Sequence, residues 1–306
     1  LATRRPGLSN AVSARNEADK PEILSGVFEG KTLGTPIAVI VRNSDAKSVD
    51  YSEIKGSPRV GHADDVWIKK FGFSDHRGGG RSSGRETVSR VIAGSFAQMF
   101  IKQSNLVASK NSDSLVKYGV TVFPRQVGPL LQTDEMVIDG AKLGCANSRW
   151  QLSSERVQEI SEFLESAKVE GQSYGGIAEV WIAGAPENLG QPVFHKLKAD
   201  LAQAYMSIGA TCGFEVGEGF SAKDIKGTEF HSQKTNAPAY GGIRGGISTG
   251  EKIILRVTFK PTSSILDVAK KGRHDPCIVL RALAVVEAMS HLVIADHILW
   301  ARLDRV

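Results

Sequence analysis

Apolar residues after Arg85 recur at every third or fourth position, which is the spacing of a helix with one buried face. The positions on that face are Val88, Val91, Ile92, Phe96, Met99 and Phe100. Ser82 or Ser83 is placed to cap the first turn, and Glu86 follows closely behind. The pattern therefore predicts a helix that begins near Arg85 with its capped end facing a glycine-rich stretch.

The same spacing predicts two more amphipathic helices. One is capped by Ser153 or Ser154 and buries a face made of Val157, Ile160, Phe163 and Leu164. The other begins at residues 190–192 with Pro192 in its first turn, where a missing N–H costs nothing. Its inward positions are Val193, Leu197, Leu201 and Met206.

The most apolar stretch of the chain is 278–300, and it is long enough for a helix that crosses a bilayer. It carries five ionisable residues: Arg281, Glu287, His291, Asp296 and His297. So many ionisable groups are too costly for a lipid-spanning helix, so we predict a core or interface helix here.

Runs of β-branched and alternating residues predict strands between these helices. We expect strands at residues 35–41, 115–123 (ending at Pro124), 177–183, 214–216 and 252–260. Residues 44–58 have a loop-like composition, and 126–145 are predicted to be irregular and peripheral. Strands alternating with amphipathic helices indicate the α+β class, although other layered α/β arrangements fit the same pattern.

Composition narrows the class of protein only slightly. The chain has 306 residues, 41% hydrophobic and 23% charged, which is ordinary for a globular protein. Its formal net charge of +5 fits an enzyme with an anionic ligand at least as well as a nucleic-acid binder. The three cysteines, Cys145, Cys212 and Cys277, form no CxxC pair, which argues against a disulfide scaffold or a zinc site.

Residues 75–90 combine three consecutive glycines with four arginines. The glycines are Gly78, Gly79 and Gly80, and the arginines are Arg77, Arg81, Arg85 and Arg90. A glycine-rich turn before a helix start is suited to bind an anion, because backbone N–H groups and arginine forks point at the same place. An RNA-binding arginine–glycine tract is the alternative, and a mononucleotide kinase loop is not indicated because G-x-x-x-x-G-K-[ST] is absent.

Two further segments have the chemistry of a site. Lys260 is followed by Pro261, Thr262, Ser263 and Ser264, and a lysine with three hydroxyls in a proline-containing turn is either a phosphate cradle or a polar turn. His62, next to a glycine and close to arginines, is a candidate proton donor at neutral pH, although single histidines are more often structural.

These segments belong to a series of motifs that resembles the chorismate synthase family. The motifs are R-V-G-H-A-D at 59–64, G-G-G-R-S-S-G-R-E-T at 78–87, G-G-I-R-G-G-I-S-T-G at 241–250, F-K-P-T-S-S at 259–264 and G-R-H-D-P-C at 272–277. The resemblance implies a β-α-β sandwich with helices packed between antiparallel sheets. It implies one domain over residues 1–306, without the F-G-E-S-H-G segment that usually precedes these motifs and carries a second active-site histidine.

The resemblance also implies an activity and a set of site residues. The family converts 5-enolpyruvylshikimate 3-phosphate to chorismate and phosphate with reduced FMN. His62 and Asp275 fall on the catalytic positions. The cofactor positions are Arg81, Ser82, Ser83, Gly245, Lys260, Pro261, Thr262, Ser263, Ser264 and Arg273, and the substrate positions are Arg4, Arg15, Arg59 and Arg85. No metal is expected.

Some features of the chain depart from the family pattern. Val60, Leu280 and Ala284 stand where the family usually has proline, and residues 228–235 replace a longer flavin-contacting loop, so no flavin contact is assigned there. The resemblance implies a cytoplasmic homotetramer that binds neither nucleic acid nor membrane. A flavin reductase that uses NADPH is a competing activity, although no Rossmann fingerprint supports it.

Overall fold

The computed structural model describes residues 1, 19–42, 61, 63–73, 83–104, 117–137, 150–231, 238–263, 265–266 and 275–304. Helices and antiparallel sheets make up this part of the chain, so the expected α+β class is confirmed. The strands are β1 Pro21–Ile23, β2 Val27–Phe28, β3 Lys31–Thr32, β4 Val39–Val41, β5 Gly119–Val127, β6 Leu130–Leu131, β7 Gly176–Ala183, β8 Thr211–Val216, β9 Ile243–Arg244, β10 Ile247–Ser248 and β11 Ile253–Phe259. The helices are α1 Asp64–Phe71, α2 Thr87–Gln103, α3 Ser154–Val169, α4 Leu197–Met206, α5 Gly227–Phe230 and α6 Val279–Trp300.

The largest sheet has five antiparallel strands in the order β6-β5-β7-β11-β8. Strands β7 and β11 pair along their length, with Ile182 opposite Ile253 at one end and Gly176 opposite Phe259 at the other. Alternate residues of both strands point to one apolar face, where Ala178, Val180, Ile182, Ile253, Leu255 and Val257 are fully buried. Helix α6 packs against β5 and β7, and α2 and α4 pack against α6. The core therefore lies between this sheet face and three helices.

The opposite face of the sheet carries a buried ion-pair network. Glu179 is only 1% exposed, and its carboxylate accepts hydrogen bonds from Arg125 at 2.7 Å, from Arg256 at 2.9 Å and from the indole of Trp181 at 2.7 Å. Burial works toward a higher pKa for Glu179, but the hydrogen bonds and charges of the two arginines outweigh it and lower the pKa. The hydrogen bonds and opposite charges of this network offset the free-energy cost of burying the Glu179 carboxylate in the sheet.

Strand β5 extends beyond the position where the sequence predicted its end. The expectation that the strand would end at Pro124 was wrong, because Pro124 pairs with Ala178 and the strand continues to Val127. The register shifts between Pro124 and Gln126, which marks a bulge. A bulge tolerates a residue without an N–H, so this proline does not end the strand. Gln126 and Val127, at the start of the region 126–145 that was predicted to be irregular, therefore belong to a paired strand.

Helix α4 begins later than its sequence pattern predicted. The helix starts at Leu197, not near Pro192, and Val193 is 69% exposed. The backbone N–H of Gln191 donates to the carbonyl of His195, so the chain forms a turn before the helix. Leu197 and Leu201 are buried as expected, whereas Met206 of α4 and Met99 of α2 are exposed against expectation. Their neighbours in the fold leave these two methionines uncovered.

The other predicted helices are present, but of the six positions predicted for the buried face of α2 only Val91 is buried. Ser153 caps α3, because its side chain accepts a hydrogen bond from the N–H of Arg156. A short 3-10 turn, Gly84–Glu86, precedes α2 and is capped by Ser83. Helix α6 is apolar and long enough to cross a membrane, but its apolar window is 61% buried inside the protein. It is the central core helix of the described structure.

Helix α6 buries a histidine at its C-terminal end. His297 is 1% exposed, and its Nε2 lies 3.0 Å from Oδ2 of Asp200, whose Oδ1 lies 3.3 Å from Nδ1 of His195. Burial lowers the pKa of His297. The charges of Asp200 and Asp296 oppose this effect without overcoming it, and the nearby His195 adds to it. The folded chain therefore favours the neutral imidazole.

We predict that His297 makes the fold less stable in mild acid. An unfolded histidine binds a proton near pH 6.5, whereas folded His297 binds it only at lower pH. The stability due to the neutral ring is thus fully present above about pH 6.5 and declines as the pH falls below that value. Urea unfolding between pH 7.5 and 5.5 should show a steeper loss for the wild type than for His297→Gln. Equal losses would contradict the prediction.

We also predict that the crossing of α2 and α6 tolerates no side chain at Gly94. A Cβ added there would lie 2.5 Å from Cβ and 2.6 Å from Cα of Ala288. Gly94→Ala should therefore lower the free energy of unfolding by about 1–3 kcal/mol, as is typical of overpacking. Gly209→Ala is the matched control, because nothing lies within 4 Å of a Cβ added at that position. Chemical denaturation of both variants measures the difference.

Candidate functional site

The turn that follows β11 is the centre of the candidate site. Lys260 and Pro261 are exposed, whereas Thr262 and Ser263 are half-buried. Gly61 lies beside this turn: Nζ of Lys260 is 3.4 Å from its carbonyl oxygen, and a Cβ on Gly61 would be 3.9 Å from Cβ of Ser263. The structure therefore brings Gly61, the sequence neighbour of the predicted catalytic residue His62, against the turn that is predicted to bind phosphate.

Asp275 lies against the same turn. The hydroxyl of Thr262 donates a hydrogen bond of 3.1 Å to the backbone carbonyl of Asp275. The Asp275 residue is 8% exposed, and its Oδ2 lies 2.6 Å from Nη1 of Arg281 in the first turn of α6. One junction between β11 and α6 thus contains one predicted catalytic residue, Asp275, and four predicted cofactor residues, Lys260, Pro261, Thr262 and Ser263.

Residues that precede β7 hold this junction together. The hydroxyl of Ser173 donates to the carbonyl of Thr262 at 2.8 Å, and the N–H of Tyr174 donates to the carbonyl of Pro276 at 2.8 Å. A Cβ at Gly175 would lie only 2.4 Å from the carbonyl oxygen of Phe259, so the chain requires glycine at this point of close approach. The segment 173–175 therefore ties the end of β11 to the start of α6.

Ser83 and Arg85 lie at the start of α2. The Ser83 side chain accepts the N–H of Arg85 at 3.4 Å, and its carbonyl accepts the N–H of Glu86 at 3.2 Å. The cap that the sequence predicted is formed, and it leaves the arginine half-buried at the helix start. The assigned roles of both residues in binding cofactor and substrate stay predictions.

Gly245 occupies a different setting from the Lys260 turn. It forms, with Gly246, the two-residue turn of the β9–β10 hairpin, and both residues have positive φ, 61° and 95°. The carbonyl of Gly246 accepts the N–H of Leu197 at the start of α4. Hairpin geometry and packing on α4 account for both glycines, and the cofactor role of Gly245 stays a prediction.

Eight predicted site residues lie outside the described part of the chain. They are Arg4, Arg15, Arg59, His62, Arg81, Ser82, Ser264 and Arg273. In the loop at 228–235, the described residues end at His231, whose Nδ1 lies 2.5 Å from the hydroxyl of Tyr240.

Sequence reasoning assigned no role to two residues that the structure places at the junction, Arg281 and Ser173. Arg281 was noted only as one of the ionisable residues in the apolar stretch 278–300. The spacing between Asp275 and Arg281 was the useful signal. A helix that starts at Val279 places Arg281 in its first turn, close to Asp275 in the segment before the helix. Ser173 carried no sequence signal, because only the fold brings it to Thr262.

Residues 1–299 match the sequence profile of the family described as chorismate synthase. The chain belongs to the chorismate synthase family. A chorismate synthase of Bdellovibrio bacteriovorus is 58% identical over 309 residues, which cover 100% of this chain and 87% of the relative. Chorismate synthases of Synechocystis sp. and Methanosarcina mazei are 40% and 41% identical, and each alignment covers 98% of this chain and 86% and 85% of the relative. The chain is thus an enzyme of this family.

A solved structure of the family has the same fold. It is described as a crystal structure of chorismate synthase, and it superposes with a TM-score of 0.69 at 28% identity. The superposition covers 93% of this chain and 79% of that structure. The likeness confirms the expected chorismate synthase-like architecture.

We predict that the Thr262 hydroxyl contributes to the stability of the junction between β11 and α6. Thr262→Val removes the donor to the Asp275 carbonyl while keeping the side-chain shape, so the free energy of unfolding should fall by about 1 kcal/mol. Thr258→Val on β11 is the matched control, and it should change stability by less. Urea denaturation compares the two, and an equal effect would contradict the role given to Thr262.

Proposed function

We propose that the protein converts 5-enolpyruvylshikimate 3-phosphate to chorismate and inorganic phosphate with reduced FMN, as a cytoplasmic homotetramer. Family membership supports a lyase of the shikimate pathway. The observation that carries the finer proposal is the junction itself, where the turn 260–263 contacts both the backbone of Asp275 and Gly61, the sequence neighbour of His62. The substrate is a small molecule, and we propose no nucleic acid or membrane as partner.

The donors at this junction fit a phosphate-bearing cofactor. Lys260 carries three N–H donors, and its 3.4 Å contact with Gly61 uses at most one of them. Ser263 adds a half-buried hydroxyl, whereas the Thr262 hydroxyl already donates to Asp275. Ammonium and hydroxyl donors in a turn suit a phosphate monoester. We assign Lys260, Ser263 and Ser264 to the flavin phosphate, with Pro261 and Thr262 shaping the turn.

The remaining cofactor and substrate assignments follow the family motifs. Further flavin contacts would come from Arg81, Ser82, Ser83, Gly245 and Arg273, and the anionic groups of the substrate would be bound by Arg4, Arg15, Arg59 and Arg85. A site for a phosphate and two carboxylates needs such a surplus of cations. The position of Arg85 at the start of α2 supports its assignment, because the first turn of a helix also favours anions.

The reaction breaks a ring C–H bond and the C–O bond to phosphate, and it forms a ring double bond, with no net oxidation. Reduced FMN, when bound, would supply electron density as the C–O bond breaks. His62 would donate a proton or a hydrogen bond to the reduced flavin, and Asp275 would help the flavin nitrogen take up the hydrogen that leaves the ring. A buried cationic site would stabilise the departing phosphate.

We predict that the full-length protein forms chorismate and phosphate in equal amounts under anaerobic conditions with reduced FMN. Asp275→Asn should lower kcat by about a hundredfold or more, which is the usual loss for a missing acid–base group. Stopped-flow absorbance of chorismate together with a phosphate assay measures both products. Phosphate release without chorismate, or no reaction with reduced FMN, would contradict the proposal.

We predict that Lys260→Met weakens FMN binding by about tenfold or more, because it removes one charge-assisted hydrogen bond. Lys252→Met is the matched control, since Nζ of Lys252 lies 3.8 Å from the ring centroid of Trp181 on the sheet. Flavin fluorescence titration gives both dissociation constants. Equal affinities would remove Lys260 from the phosphate site.

A further inference from the structure

We propose that Arg281 is a positioning residue of the active site, acting through Asp275. The inference rests on the proposed function, in which the Asp275 carboxylate takes part in the chemistry. It goes further because it assigns a role to a residue of α6 that is not among the predicted site residues and does not belong to the turn after β11.

Two contacts hold Asp275, one at its backbone and one at its carboxylate. The Thr262 hydroxyl donates to the backbone carbonyl of Asp275 at 3.1 Å, while Arg281 Nη1 donates to the side-chain Oδ2 at 2.6 Å. The backbone of Arg281 is part of the first turn of α6, where its backbone N–H donates to the carbonyl of Ile278 at 3.0 Å. Asp275 is thereby tied to the turn after β11 through its backbone and to α6 through its carboxylate.

Burial explains why the pair needs a guanidinium. The side chain of Asp275 is 7% exposed and that of Arg281 is 24% exposed, so the pair is largely removed from water. The Arg281 Nε is buried without a hydrogen-bond partner among the described residues, which leaves the guanidinium held at its Asp275 end. A planar, rigid guanidinium fixes the direction of its partner better than an ammonium group does.

This arrangement leads to a specific expectation for the catalytic rate. Without Arg281, the carboxylate keeps its place in the chain but loses the 2.6 Å contact at Oδ2, and a small misplacement of a reacting group costs a large factor in rate. We expect Arg281→Met to lower kcat by about tenfold to a hundredfold while KM and the FMN dissociation constant change by less than about threefold. Arg281→Lys should recover part of the loss.

A double-mutant cycle with Asp275 tests whether Arg281 acts through that residue. The four proteins are the wild type, Asp275→Asn, Arg281→Met and the double variant. We expect Arg281→Met to lower kcat in the wild-type background and to have little further effect in the Asp275→Asn background. Arg302→Met, which changes an arginine just beyond the other end of α6, is the matched control and should keep wild-type kcat.

Each measurement in the cycle separates the inference from its alternatives. FMN titration and thermal unfolding of every variant show whether the site is still folded, and the double variant avoids a buried unpaired charge. Wild-type kcat in Arg281→Met, or an undiminished loss in the Asp275→Asn background, would overturn the inference. Wild-type turnover in Asp275→Asn would instead overturn the proposed role of Asp275, which is a distinguishable result.

Discussion

The close packing of α6 against the sheet and against α2 is the constraint on which the described structure depends. Helix α6 contacts β5 and β7 on one side and α2 on another, and Gly94 allows α2 to approach Ala288 closely. Because α6 begins at Val279, four positions after Asp275, and its first turn supplies Arg281 to that carboxylate, this packing also bears on where the carboxylate lies. Stability and site geometry are therefore set by the same contacts.

Polar groups within this framework are paired according to their surroundings. Glu179 is buried on the outer sheet face and is neutralised by Arg125 and Arg256, which hold its pKa low. His297 is buried at the far end of α6, where burial favours its neutral form. The two cases show that the interior of this protein admits a charge where several donors surround it and favours the neutral group elsewhere.

The candidate site is assembled from segments that are distant in the chain. Gly61, the segment 173–175, the turn after β11 and the start of α6 meet at one junction through backbone and hydroxyl hydrogen bonds. Most of these bonds involve main-chain atoms, so the junction is positioned by the fold more than by side-chain identity. The side chains that we propose for chemistry are those of Lys260, Ser263 and Asp275, with Arg281 bound to the last of them.

The sequence by itself determined the fold class, the family and the helices of strong periodicity, because apolar spacing and long motifs are local properties of the chain. Helices α2, α3 and α6 and the strands β7 and β11 followed from that spacing, and the cap at Ser83 followed from residue type. Tertiary structure alone decided that β5 passes through Pro124 and that α4 starts at Leu197. It also decided that Ser173 reaches Thr262. These outcomes depend on which distant segment lies opposite each residue, and no local pattern carries that information.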